Sequence, residues 1–308
     1  MKNSRGSLAW NGRQTHNHSY TQIPNIEITN IHWNNFKEYV FNNLSPKSAK
    51  DVLRYSKQYV DVLQYPYRAS RIGTLSKNKK RLVMASLSNL SKYLGIYEYW
   101  KDIIKNHGLK WEKRSALETI IDILNCNLED TKIWLKDTIP KLPNEYGSVL
   151  IFDVLTGLRA SESCLSCKLI TELAEANRLN QYFDGELMML QHFRFKELFL
   201  RHNKNAYISF ISKDLLNLIL KVKPRVTYSA IRHKLNELGF SSKMKELRKL
   251  HGTLLRSYLP NELVDLLHGR VSESVFLRFY YKPILQDIRD KTFDAIEPLQ
   301  KELLEIFP

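Results

Sequence analysis

Apolar residues recur at helical spacing in one short segment after another along this chain, and that pattern restricts it to a mainly α fold. Trp33, Phe36, Tyr39, Val40 and Leu44 share one helical face. Ser45-Pro46 then restarts the chain, with Ser as N-cap and Pro at the first helical position, and a helix is expected over 46–64. Further helices are expected over 77–94 and 97–106, and His107-Gly108 reads as a C-cap. From Ala116 a second helical set begins, and Asn144-Glu145-Tyr146 opens a mostly apolar helix running to Thr156-Gly157. The period changes after about Asn180. There the segments 183–193, 196–201 and 206–212 alternate or cluster apolar and aromatic residues around the turn 202–205, which reads as a small antiparallel sheet. Helices resume at Lys213 and continue to the end.

At 308 residues the chain exceeds what one core usually organises, so two domains are expected. Residues 1–27, polar and without period, read as a flexible arm. Residues 28–108 form a first helical domain, 109–115 a linker and 116–308 a second domain. With 16 Tyr, 13 Phe and 5 Trp, the chain has the bulk to fill real cores.

The 47 Lys and Arg against 32 Asp and Glu give a formal charge of +15, which points to a polyanion and foremost to nucleic acid. Lys77, Lys79, Lys80 and Arg81, following the basic break at 67–73, read either as a grip on a duplex backbone or as a solvated face. No stretch approaches the ~18 apolar residues of a membrane span, and the start lacks a signal-peptide run, so a cytoplasmic location is expected. Three cysteines, Cys126, Cys164 and Cys167, make no disulfide framework. Without a second pair, Cys164-x-x-Cys167 reads as two buried helical thiols rather than a zinc site.

Two constellations carry chemistry. In Thr156-Gly157-Leu158-Arg159-Ala160-Ser161-Glu162, the Gly lets the backbone turn sharply after the apolar helix, and Glu162 is spaced to orient Arg159. A second stretch, 245–283, holds Lys245 and Arg248 on one helix, then Arg270, then the adjacent tyrosines Tyr280 and Tyr281. The first matches the T-G-x-R-x-x-E box of the tyrosine recombinases, the phage integrase family. The second resembles that family's His-x-Leu-Arg box, with Lys245 in place of the first His. Leu267-His268-Gly269-Arg270 aligns with its Leu-Gly-His segment, and Tyr280 stands ten residues after Arg270. The Lys-x-x-Arg box, the Arg in place of the second His and the Tyr-Tyr-x-Pro context are similar to integrases of archaeal viruses and plasmids of the fusellovirus type.

The resemblance covers about 145–285 and implies a two-domain clamp on double-stranded DNA, with 28–108 as core-binding domain and 116–308 as a mostly helical catalytic domain with a small sheet. It implies cleavage and rejoining of DNA through a covalent 3′-phosphotyrosine, within a tetramer on two duplexes, with no metal or cofactor. Arg159, Arg248 and Arg270 would cradle the phosphate. Lys245 would act as base or as a fourth phosphate contact, and Tyr280 would be the nucleophile, with Tyr281 as the alternative. The leaving 5′-hydroxyl would take its proton from a lysine in the hairpin turn, Lys204 or else Lys196. His251 reads as a core or hydrogen-bonded histidine, and His268 could replace Arg270 if the helix register shifts. The C-terminal helix would cap its own domain or dock on a neighbouring protomer. A cellular chromosome-dimer resolvase and a catalytically inactive DNA-binding relative are the alternative readings.

Overall fold

A computed structural model of the chain describes residues 31–111, 115–125, 127–201, 204–271 and 284–308. It is mostly helical with one small antiparallel sheet, and the chain divides into two compact units between Ile121 and Asp122.

The first unit contains α1 (Trp33–Asn43), α2 (Pro46–Tyr59), α3 (Asp61–Gln64), α4 (Ser70–Gly73), α5 (Lys77–Tyr93) and α6 (Tyr97–Asn106). Ser45 caps α2 through its side chain, with Pro46 just inside, as the Ser-Pro pair dictates. The single helix expected over 46–64 is interrupted at Val60. There Leu63 N–H bonds the Val60 carbonyl at 2.9 Å, a tighter i to i+3 turn that resets the helix before α3. Serines where α5 meets α2 and α6 allow close approach. Ser56 donates to the Ser86 carbonyl (3.1 Å), and Trp100 Nε1 donates to Ser88 Oγ (2.9 Å) inside a core of Phe36, Leu63, Met84 and Leu87. The division between the units falls within α7 (Ala116–Leu124).

The second unit continues with α8 (Leu128–Thr138), α9 (Asn144–Thr156) and α10 (Ala160–Glu175). After these come β1 (Phe183–Asp184), β2 (Met189–Leu190), α11 (Lys196–Phe199) and β3 (Ser209–Phe210), and then α12 (Lys213–Val222) and α13 (Tyr228–Glu237). It closes with α14 (Met244–Leu255), α15 (Asn261–Leu267) and α16 (Leu285–Glu305). Every residue of α9 from Gly147 to Thr156 is buried, which is what a helix apolar on all sides requires. It packs against α10, α12, α14 and α16 and delivers its C-terminal end to the site described below. The inward face of α16, with Ile288, Ile296, Leu299 and Leu303 buried, covers this unit's own core, and Ser212 Oγ donates to Gln300 Oε1 at 2.9 Å.

The sheet runs β1-β2-β3, with Phe183 opposite Leu190 and Leu190 opposite Ser209. A buried relay ties it to α10: Ser166 Oγ to Tyr182 Oη (2.8 Å), Tyr182 Oη to His192 Nδ1 (2.6 Å) and His192 Nε2 to Ser209 Oγ (2.9 Å). The sheet is smaller than expected. Segment 196–201 is no strand: Lys196–Phe199 coils into one helical turn so that Phe199 enters the core, and the Phe199 carbonyl receives the N–H of Ala206 at 3.0 Å. Lys204 lies in the connection between the antiparallel strands β2 and β3, in the loop that follows α11.

Candidate active site

Two helix ends and one helix face of the second unit meet at one point. The first follows α9. Gly157 takes φ +62° as the C-cap, and a Cβ there would stand 2.2 Å from His251 Nδ1, so both the backbone and the space require glycine. Two residues on, Arg159 is the N-cap of α10. Its N–H bonds Glu162 Oε2 (3.1 Å), and its guanidinium donates to Glu162 Oε1 (2.8 Å) and to the Asn205 carbonyl (3.2 Å). Glu162 is fully buried and also receives the Arg201 guanidinium at 2.7 Å. Two guanidinium groups on one carboxylate leave one net positive charge here.

The second contribution is Arg248 on α14. Its guanidinium donates to the Gly157 carbonyl at 2.8 Å and to the His268 carbonyl, and so links the end of α9 to the end of α15. Burial, then the charges of Arg159 and Arg270, push its pKa down to about 10, still well above neutrality. Lys245, one helical turn earlier, is exposed on the adjoining part of α14.

The third is the end of α15. Gly269 adopts φ +68° against the Asn205 carbonyl. Arg270 follows, with its side chain 69% exposed and donating to Asp265 Oδ1 at 3.1 Å. It is thus within electrostatic reach of Arg248 but turned toward Asp265. His268 is buried, and its ring Nε2 lies 3.0 Å from His251 Nδ1. Burial pushes the two imidazoles down to about 3 for His251 and about 2 for His268, so both are neutral at physiological pH.

Sequence reasoning missed Asn205 and Arg201. Asn205 pins the loop that carries Lys204: its carbonyl serves Arg159, its Oδ1 accepts from Arg201 N–H (2.8 Å), and its Nδ2 donates to Tyr207 Oη (3.1 Å). Lys204 is exposed, one residue from the Arg159 contact; Lys196 is exposed on the first turn of α11. The only sequence signal for Arg201 and Asn205 was the polar, basic composition of 201–205. Also missed was Asp153, buried on α9 with Oδ1 accepting from Ser163 Oγ at 2.6 Å. Tyr280 and Tyr281 lie outside the described residues, as does Cys126.

Cys164 and Cys167 are buried on α10, and burial raises both thiol pKa values, to about 12 for Cys164. Among the described residues no group of three or more His, Cys, Asp or Glu is placed to hold a metal ion, and no helix is long and apolar enough to cross a membrane. The site offers the guanidinium groups of Arg159 and Arg248, held by Glu162 and by main-chain carbonyls, with Arg270 nearby and paired to Asp265. That arrangement suits an anion whose charge grows during a reaction. No protein-family model matches this chain, and no curated protein or solved structure does.

Proposed function

We propose that the protein is a tyrosine site-specific DNA recombinase, the integrase of a virus or plasmid of archaea, with the first unit as core-binding domain and the second as catalytic domain of a clamp on duplex DNA. The observation that carries this reading is the pair of carbonyl bonds from Arg248 to Gly157 and His268. Through them Arg248 ties together two motif segments 91 and 20 residues away, one leading to Arg159 and the other to Arg270.

In this mechanism the Tyr280 phenolate attacks a backbone phosphorus in line. The bond from phosphorus to the 5′ oxygen breaks as the phosphotyrosine bond forms, and nothing is oxidised or reduced. Arg159, Arg248 and Arg270 take the charge that builds on the non-bridging oxygens. Lys245 assists deprotonation of the phenol or holds a phosphate oxygen, and Lys204 protonates the departing 5′ oxygen. Arg270 must leave Asp265 to join the cradle. Both partners of that ion pair are about half exposed or more, so its loss costs about 1 kcal/mol or less. Four such protomers, on two duplexes, would exchange strands.

The test is a nicked suicide duplex carrying the attachment site, incubated with the protein and resolved for a covalent protein–DNA band. Tyr280→Phe should abolish the band and leave salt-dependent binding intact; a surviving band would sink the nucleophile assignment. The Arg270–Asp265 pair favours one second reading, an inactive DNA-binding relative, for which the unaltered protein gives no band at all.

A further inference from the structure

The first unit carries a surface that strand cleavage does not use. Tyr65 and Tyr67 flank Pro66 at the start of the 3-10 turn Pro66–Ala69, 41% and 65% exposed, with ring centroids 6.1 Å apart and planes inclined by 49°. Arg68 lies against both, its Cζ 4.8 Å from the Tyr65 centroid and 5.7 Å from that of Tyr67. Its guanidinium also donates to Asp61 Oδ2 at 2.9 Å, and Arg71 bonds the other oxygen of the same carboxylate. Arg71 in turn stacks on the ring of Tyr59, Cζ to centroid 5.2 Å.

Each part of this arrangement has a consequence. Asp61 serves two guanidinium groups, so the cluster keeps one net positive charge, and both arginines are held in place while roughly two fifths of each side chain stays in water. Tyr67 has most of its ring in water, outside the buried core of its unit. A flat aromatic face beside fixed cations fits a nucleobase with its flanking phosphates. Paired bases inside a duplex expose no face to stack on, so the fitting ligand is an unpaired base.

We propose that Tyr67, backed by Tyr65, stacks an unpaired nucleobase of single-stranded or gapped nucleic acid while Arg68 and Arg71 hold the adjoining phosphates. This surface is distinct from the strand-cleaving site and calls for nucleic acid but no cleavage, so the covalent-band assay and the test below can fail independently.

The test uses the full chain and fluorescence anisotropy with a labelled single strand of about twelve nucleotides and a duplex of the same length, across a salt series. Tyr67→Ala should weaken single-strand binding on the order of 5- to 100-fold and duplex binding by less than about twofold, as expected for one lost stacking contact. Tyr67→Phe, which keeps the ring, should bind like the unaltered protein. Arg68→Gln with Arg71→Gln should instead flatten the salt dependence, which Tyr67→Ala leaves unchanged. Unchanged circular dichroism and melting of Tyr67→Ala, expected from its exposure, keep folding out of the result. Equal losses on both ligands, or none on the single strand, would overturn the stacking role; a loss confined to the arginine variants would make the surface a phosphate contact only and overturn it likewise.

Discussion

The main-chain carbonyl of Asn205 lies against Gly269, so close that a Cβ at position 269 would stand 1.7 Å from the oxygen. The same oxygen accepts from Arg159, so one backbone atom joins the Lys204 loop to two of the three arginine-bearing segments. Gly269→Ala must displace that loop as well as strain a residue at φ +68°. We expect a loss of stability of about 1–3 kcal/mol in urea unfolding. If the chain cleaves DNA as proposed, single-turnover cleavage should fall roughly 100-fold, because misplacement of a reacting group by ~1 Å costs that much. Normal cleavage would show that the loop holds none of the reacting groups.

His251 and His268 share one hydrogen bond in a buried site, with pKa values near 3 and 2 against an ordinary value of about 6.5. The folded protein therefore binds fewer protons than the unfolded chain. Their stabilisation is present above pH ~6.5 and is lost as pH falls toward the folded values, by roughly 3 kcal/mol for the pair between pH 6.5 and 5. His268→Gln should remove about half of that acid sensitivity, measured by urea unfolding across this range; an unchanged slope would place the proton uptake elsewhere.

Arg159 and Glu162 were legible in sequence because their relation is local, three residues apart at a helix start that Gly157 marks. Lys245 and Arg248 stand one turn apart on α14 for the same reason. What escaped is nonlocal or carried by the backbone. The Asn205 carbonyl has no residue signature, and its partners lie 46 and 64 positions away. The turn at α11 was misread because Phe195, Leu198 and Phe199 suit a strand or a helix equally over so short a run, and burial of Phe199 decided between them. The break at Val60 is likewise a shift of one hydrogen bond within a continuous apolar pattern.

Asp153 is buried, and its Oδ2 has no hydrogen-bond partner among the described residues. Burial pushes its pKa up to about 8, partly offset by the Ser163 hydrogen bond and the charge of Arg248. Here the folded state holds the proton more tightly than the unfolded chain. The contribution is complete below pH ~4 and is lost as pH rises through about 8, which opposes the histidines below pH 6.5. Between pH 7 and 8 the histidines are mostly neutral in both states and contribute only about 0.3 kcal/mol, so Asp153 dominates and should lower stability by roughly 1 kcal/mol there. Asp153→Asn should make that interval nearly flat in urea titrations. A slope that persists would mean that the carboxyl is already ionised at pH 7.

Arg201 bears on the field at the site without being part of the arginine motifs. Glu162 is fully buried and accepts from both Arg159 and Arg201; were Arg201 absent, the carboxylate would be matched by Arg159 alone, and that guanidinium would have no excess charge for a phosphate. The Arg201 N–H also closes the loop on Asn205, but a side-chain substitution leaves that bond in place. Arg201 is 47% exposed but its partner Glu162 is fully buried and keeps Arg159, so Arg201→Gln should cost about 1–3 kcal/mol of stability. Cleavage should fall by roughly tenfold, the equivalent of ~1.4 kcal/mol in the transition state. In a Glu162→Gln background the carboxylate charge is gone, so Arg201→Gln should then have a much smaller effect on single-turnover rates. A cycle in which the two changes simply add would show that Arg201 acts on DNA directly rather than through Glu162 and Arg159.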